Sequence, residues 1–248
     1  MTVIHYVWLY FWIAPHLLLL VVAGLMFRRG LHKSYPVFFL YLVCEFLKSF
    51  VLFAMFWLKV RRSIYVEADL LARATSIALH FGILQELFAV PVAHGVSRQL
   101  DINRLLKWVT AIMIALASAF IWATYYSSFG SPMVHAYIIV EALHASQCGL
   151  LVLVFVWYSF LGVRMAPMAF GISLGLGMSF GLEPFFVILK NHVSPPMFRI
   201  VDIFQMGVFH IAVLIWICYA QVRESVPAAS EVDQSQWIEQ AAKFERLV

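Results

Sequence analysis

Charged residues are scarce in this chain of 248 residues. Asp, Glu, Lys and Arg make up 12% of the sequence, against about 25% in a soluble domain, whereas 63% of the residues are hydrophobic. A soluble domain of this length cannot bury that much apolar surface in one core. The composition therefore excludes a water-soluble enzyme, a nucleic-acid-binding protein and a disordered scaffold, and it predicts an integral membrane protein.

Cysteines are few, and several catalytic motifs are missing. Cys44, Cys148 and Cys218 lie inside apolar segments and form no CxxC pair, so we expect neither a disulfide framework nor a cysteine metal site. The sequence has no HExxH, P-loop or dinucleotide-binding motif. It therefore lacks the motifs of a membrane zinc protease and of a nucleotide-dependent enzyme.

The apolar residues fall into runs that are long enough for transmembrane helices. A helix needs about 20 mostly apolar residues to cross the hydrocarbon core. The runs cover residues 4–27, 36–57, 72–96, 105–126, 134–161, 168–189 and 197–221. The sequence thus predicts an all-α, polytopic membrane protein. Residues 1–221 form a seven-transmembrane-helix bundle, and residues 222–248 form a short tail with one amphipathic helix.

The basic residues favour one orientation of this bundle in a cell membrane. Lys and Arg are enriched in the cytoplasmic loops of membrane proteins. No Lys or Arg precedes the first span, whereas Arg28, Arg29 and Lys33 follow it. With seven spans, this places the N-terminus outside and the C-terminal tail in the cytoplasm. Arg61 and Arg62 fall on the outer side and weaken the bias.

Several ionisable side chains lie within the predicted spans. Such residues are costly in a bilayer and mark candidate functional sites. The candidate ligand-binding residues are Glu141, His144, Glu183, Asp202, His210, His80 and Glu45. Under the predicted topology the first four lie in the outer half of the membrane and the last three near its middle. We therefore expect a polar pocket that opens toward the outside.

Some of these patterns also have simpler interpretations. Glu45 and Lys48 are three residues apart on one helix face, so they can neutralise each other. Glu141 and His144 form one Glu-x-x-His motif, but di-metal helix bundles use two copies with two further Glu residues. His16, together with the two mid-membrane histidines named above, lacks the repeated paired spacing expected of haem ligands. The sequence predicts neither a metal site nor a haem.

The sixth span is rich in small residues. Its glycines form two pairs spaced by four residues, Gly171 with Gly175 and Gly177 with Gly181. Such pairs permit close approach between helices. We expect Pro184 to interrupt the helix, because proline removes one hydrogen bond and clashes with the preceding turn. The segment is either a packing surface or a hinge that moves when a ligand binds.

The number of spans, the length and the outside N-terminus resemble those of microbial rhodopsins. Those proteins carry a Schiff-base lysine in the seventh helix, four residues after an aspartate. Here Asp202 is followed four residues later by Met206, and the seventh span has no lysine. We therefore expect no covalent retinal.

Glu45 and Asp202 resemble the acidic residues of small seven-helix terpene cyclases, which lie in the second and the last helix. The Asn and Trp that usually precede that Glu are absent, because residues 41–44 read Tyr-Leu-Val-Cys. The resemblance implies an intramembrane enzyme in which the two carboxylates perform acid/base catalysis on an isoprenoid-like substrate.

Four functional hypotheses follow from these patterns. The leading one is a ligand- or signal-receiving membrane module, similar to a sensor or receptor, which binds a small or lipophilic molecule in the polar pocket. The alternatives are the intramembrane enzyme, a proton- or cation-coupled transporter, and an accessory subunit of a larger membrane complex. The expected partners are the lipid bilayer, the ligand, and a second copy of the chain or another membrane subunit.

Overall fold

The computed structural model describes residues 3–93, 132–160, 165–194 and 197–223. All regular secondary structure in these ranges is helical, as the composition and the apolar runs predicted. The helices are α1 (Val3–Arg28), α2 (Leu31–Ser34), α3 (Pro36–Trp57), α4 (Arg62–Ala93), α5 (Pro132–Phe160), α6 (Pro167–His192) and α7 (Phe198–Gln221). The predicted span 105–126 and the predicted tail helix lie outside the described residues.

The bounds of most helices agree with the sequence prediction, but α4 is longer. It begins at Arg62 and has 32 residues, whereas the predicted span begins at residue 72. Residues 62–71 contain neither glycine nor proline, so nothing in the sequence stops the helix there. At a rise of 1.5 Å per residue the helix is about 48 Å long, which exceeds the ~30 Å of a hydrocarbon core.

Three helices in the described part of the chain are long and apolar enough to cross a membrane. They are Tyr6–Arg28, Pro36–Trp57 and Phe198–Gln221. Large apolar side chains cover their outer surfaces, and Leu17 and Phe204 are 53% and 66% exposed. An apolar surface of this extent is typical of a membrane protein and not of a soluble monomer. The total of seven spans and the orientation of the termini stay predictions.

The long helices in the described ranges form a ring. Each packs mainly against two neighbours, in the order α1, α3, α4, α5, α6, α7 and back to α1. Helices α1, α4, α5 and α7 begin at one face of the ring, which we call the upper face, and α3 and α6 end there. The opposite face is the lower face.

Helices α4 and α5 are parallel neighbours. The Gln147 Nε2 of α5 donates a hydrogen bond to the Ile77 carbonyl of α4 at 3.0 Å. Further along both helices, the Tyr158 hydroxyl donates to the Leu87 carbonyl at 3.1 Å. The contacts advance in the same direction along both chains, so the end of α4 and the start of α5 lie on opposite faces of the ring.

Helices α1 and α7 are also parallel, and a cation joins their lower ends. Phe11 of α1 packs edge-on against His210 of α7, with ring centroids 5.8 Å apart. Arg29 follows α1 and donates from Nη1 to the carbonyls of Ala220 at 2.6 Å and Val222 at 2.9 Å. The last carbonyls of a helix have no partner within the helix, and they attract cations. Arg29 therefore caps the C-terminus of α7.

A carboxylate caps the N-terminus of α3 in a similar way. Glu86 of α4 accepts hydrogen bonds from the backbone N–H groups of Val37 at 2.9 Å and Phe38 at 3.1 Å. Pro36 occupies the first helical position, where its missing N–H costs nothing. The two free donors that follow, together with the positive end of the helix dipole, account for the position of this carboxylate.

The glycine pair at the start of α6 holds aromatic side chains of α7. A Cβ atom at Gly175 would overlap the indole of Trp216, and one at Gly171 would overlap the ring of Tyr219. Trp216 is completely buried, and its ring also contacts Phe38 edge-on with centroids 5.2 Å apart. The glycines thus allow α7 to approach α6 closely, and side chains of α7 fill the space that they leave.

Helix α6 continues through Pro184 to His192. The expected interruption at this proline is therefore wrong. Proline removes one N–H donor and frees one carbonyl, but a helix that is packed among others can accommodate this loss. Helix α1 likewise runs through Pro15 without a break.

We predict that Gly175→Ala destabilises the protein because the added methyl group overlaps Trp216. Overpacking of this kind costs about 1–3 kcal/mol, which would lower the Tm in detergent. Gly181→Ala is the matched control, since nothing lies within 4 Å of a Cβ at that position and alanine favours a helix by up to about 1 kcal/mol. Equal Tm values for the two variants would contradict the packing at Gly175.

We predict that Glu86→Ala weakens the start of α3. Loss of an N-terminal cap costs about 0.5–2 kcal/mol, so the amides of residues 37 and 38 should exchange faster with deuterium. Gln85→Ala changes the exposed neighbour and should leave this exchange unchanged. Identical protection in both variants would show that Glu86 does not cap the helix.

Candidate functional site

Charged and polar side chains gather between α3, α4, α5 and α6 in the upper half of the ring. We call this group the polar cluster. Its members are Glu45, Lys48, Asp69, Arg73, Ser76, His144 and Glu183. The cluster joins four helices through ion pairs and hydrogen bonds.

One half of the polar cluster joins α3 to α4. Glu45 forms an ion pair with Lys48, one turn later on the same helix, and accepts a hydrogen bond from Ser76 of α4. Lys48 Nζ donates to the Ser76 hydroxyl at 2.9 Å. Glu45 is 5% exposed, and a buried charge is costly unless it is paired and hydrogen-bonded. The neutralising interpretation of the Glu45 and Lys48 spacing matches this contact.

The other half of the cluster converges on Glu183 of α6. His144 of α5 approaches from one side, with Nδ1 2.9 Å from Glu183 Oε2. Arg73 of α4 lies on the other side, with Nη1 3.8 Å from Glu183 Oε1. Arg73 also pairs through Nε with Asp69 at 2.9 Å, one turn earlier on α4. Glu183 is therefore contacted by side chains from two other helices, and the contact with His144 is the closer one.

Histidine and tyrosine rings extend the cluster toward the core. His80 of α4 is 5% exposed, and its ring centroid lies 6.5 Å from that of His144 and 4.9 Å from that of Tyr41. Tyr41 in turn packs edge-on against Trp216, at 6.1 Å. A continuous row of rings thus connects the polar cluster to the tryptophan that joins α6 and α7.

The two cations of the polar cluster are more exposed to the surface than Glu183 and His144. The side chains of Arg73 and Lys48 are 37% and 24% exposed, whereas that of Glu183 is 17% exposed and that of His144 is 7% exposed. Glu183 and His144 are therefore less accessible from the surface than the two cations.

The structure brings together several of the residues that the sequence singled out as ligand-binding candidates. Glu45, His144 and Glu183 belong to the polar cluster, and His80 lies beside it. Glu141 lies on α5 one turn before His144, and its side chain is outside the described residues. The sequence analysis expected several helices to converge from the depth of their polar residues alone. The structure shows such a convergence for Glu45, His80, His144 and Glu183.

The other two candidates lie elsewhere. Asp202 of α7 forms an ion pair with Lys190 of α6 at 2.6 Å, and the same lysine donates to Gln205 at 2.9 Å. His210 lies between α1 and α7, with its ring 5.9 Å from that of Tyr10. Neither residue belongs to the polar cluster.

Sequence reasoning missed the contribution of α4 to the cluster. Asp69, Arg73, Ser76 and His80 follow one another at intervals of four, three and four residues, which places them on one face of a helix. Asp69 and Arg73 also form the favourable i, i+4 pair. The predicted span began at residue 72, so Asp69 was assigned to the preceding loop and the complete face was not predicted.

Within the described ranges, no group of three or more His, Cys, Asp or Glu side chains is arranged to hold a metal ion. Comparison with models of protein families, with curated proteins and with solved structures gave no match to the chain. Function is therefore inferred from the geometry of the polar cluster.

We predict that Lys48→Met destabilises the protein more than the double variant Glu45→Gln/Lys48→Met does. Removing one partner of a buried ion pair leaves an uncompensated charge and costs about 3–5 kcal/mol, whereas replacing both partners is often close to neutral. Thermal unfolding in detergent measures the difference. If the double variant is as unstable as Lys48→Met, then the pair is not the reason for the loss.

Proposed function

We propose that this chain is a signal-receiving membrane module. The polar cluster receives a small ligand or signal from the outside, and α6 and α7 carry the change to the inner face. The observation that carries this proposal is the position of Glu183, which α4 and α5 both contact and which lies on the helix packed against α7.

The proposed topology has seven spans, with the upper face outside. The parallel contact between α4 and α5 supports it, because the end of one and the start of the other lie on opposite faces of the ring. A single crossing between them, such as the span predicted at 105–126, satisfies this geometry. The parallel arrangement of α1 and α7 agrees with an odd number of spans. The polar cluster then lies in the outer half of the membrane.

A path of direct contacts leads from the cluster to the inner face. Glu183 is part of α6, and the first half of that helix packs against Trp216 and Tyr219 of α7. The end of α7 is held by Arg29 through the Ala220 carbonyl. A displacement of α6 therefore reaches the last turn of α7, because packed interiors transmit strain instead of absorbing it.

The pairing of the acidic residues favours this role over the enzyme hypothesis. Glu45 is paired with Lys48 on α3, and Asp202 is paired with Lys190 between α6 and α7. Two groups that share acid/base catalysis must both reach the same substrate. Here each carboxylate has its own cation at a different helix contact, and the polar cluster contains one of the two.

We predict that neutralising Glu183 changes the environment at the inner end of α7. Cys218 is exposed near that end, so a form with Cys44→Ala and Cys148→Ala can carry one environment-sensitive fluorophore at Cys218. Glu183→Gln should shift the emission maximum of this label in lipid nanodiscs. Phe185→Leu, a change at an exposed position of the same helix, should leave the emission unchanged.

The proposed function would be contradicted if the label had the same emission maximum in Glu183→Gln, in Phe185→Leu and in the parent protein. Gel filtration and circular dichroism must show that each variant is folded. If Glu183→Gln does not fold, Arg73→Gln removes the longer and more exposed contact to the same carboxylate and serves as the second variant. The same emission shift is then expected, and its absence counts equally against the proposal.

A further inference from the structure

We propose that the signal received by the polar cluster is a proton, which the pair of His144 and Glu183 takes up from the outside. This inference rests on the proposed function and identifies its ligand. It follows from the balance of charges in the cluster and from the geometry of the pair.

The described side chains of the polar cluster contain more permanent negative charges than positive ones. The carboxylates are Glu45, Asp69 and Glu183, and the permanent cations are Lys48 and Arg73. Each cation has a closer carboxylate than Glu183, since Lys48 pairs with Glu45 and Arg73 with Asp69. Glu183 is thus the carboxylate whose nearest partner is a histidine. One proton bound to this pair makes the numbers of described negative and positive charges in the cluster equal.

The geometry places that proton on His144. Glu183 Oε2 and His144 Nδ1 are 2.9 Å apart, within the distance of an ion pair. A neutral imidazole has one ring nitrogen without a hydrogen, and this nitrogen takes the added proton. The product is an imidazolium next to a carboxylate. Histidine is the side chain that changes its charge most readily between pH 5 and pH 8.

The surrounding groups limit the uptake to one proton. A second positive charge on the neighbouring His80, whose ring lies 6.5 Å from that of His144, would be repelled by an imidazolium at position 144. The titratable and charged groups that face the pair are Tyr41, Glu45 and Lys48 of α3, Asp69, Arg73 and His80 of α4, Cys148 of α5, and Glu183 itself on α6.

Uptake and release change the partner of Glu183. With the proton bound, the imidazolium of His144 holds the carboxylate at α5. After release, the nearest full positive charge described beside Glu183 is Arg73, which lies 3.8 Å away in the structure, and the carboxylate shifts toward α4. Because Glu183 is part of α6, this exchange displaces α6 on α7. The proton thus acts through the same helix contact that carries the proposed signal.

The test is a pH titration of the protein labelled at Cys218 in lipid nanodiscs. Between about pH 8 and about pH 5, the emission should change in one reversible transition that fits a single proton. His144→Gln should abolish the transition. Glu183→Gln should move its midpoint to lower pH, because the imidazolium loses its carboxylate. His192→Gln, which changes an exposed histidine of the same helix, should keep the transition of the parent protein.

Two results would overturn the inference. One is a transition of unchanged midpoint and amplitude in both His144→Gln and Glu183→Gln, which would place the proton elsewhere. The other is the lack of any transition in the parent protein. If Glu183→Gln nevertheless shifts the label at constant pH, the proposed function stands and only the proton is excluded. If the label responds neither to pH nor to Glu183→Gln, the proposed function fails as well.

Discussion

A carboxylate inside a helical bundle has to be compensated by its surroundings, and the contacts of Glu183 show how this constraint shapes the structure. Its charge lies among apolar helices, where an unpaired ion is costly. His144 and Arg73 supply the compensation from α5 and α4. The same carboxylate therefore fixes the relative positions of three helices. In the proposed function, a species that alters the balance between these partners moves the helices.

The contact between α6 and α7 connects the surroundings of Glu183 to the rest of the bundle. Gly171 and Gly175 leave room for Tyr219 and Trp216, so the two helices pack closely at this turn. Arg29 then joins the end of α7 to the end of α1. Sequence position alone separates these features widely, whereas in the structure they form one path from the upper face to the lower face.

Within the described residues, the sequence predicted the long helices and part of the polar cluster. Runs of apolar residues locate helices because every backbone group in a bilayer must find its partner within the helix. Depth along a helix follows from residue number, so His144 and Glu183 were placed at a common height. Residue number does not tell which face of a helix meets which neighbouring helix. For this reason the sequence grouped Asp202 and His210 with residues that they do not contact. The polar face of α4 was readable from its spacing, but the predicted boundary at residue 72 cut it off.

The central claim is that His144 and Glu183 act on each other across the contact between α5 and α6. A double-mutant cycle measures this directly, with thermal unfolding of His144→Gln, Glu183→Gln and the double variant in detergent. Residues in contact show interaction energies of about 0.5–3 kcal/mol, so the double variant should lose less stability than the two single variants together. Strictly additive losses would mean that the two side chains do not interact, and the account of the polar cluster would then be wrong.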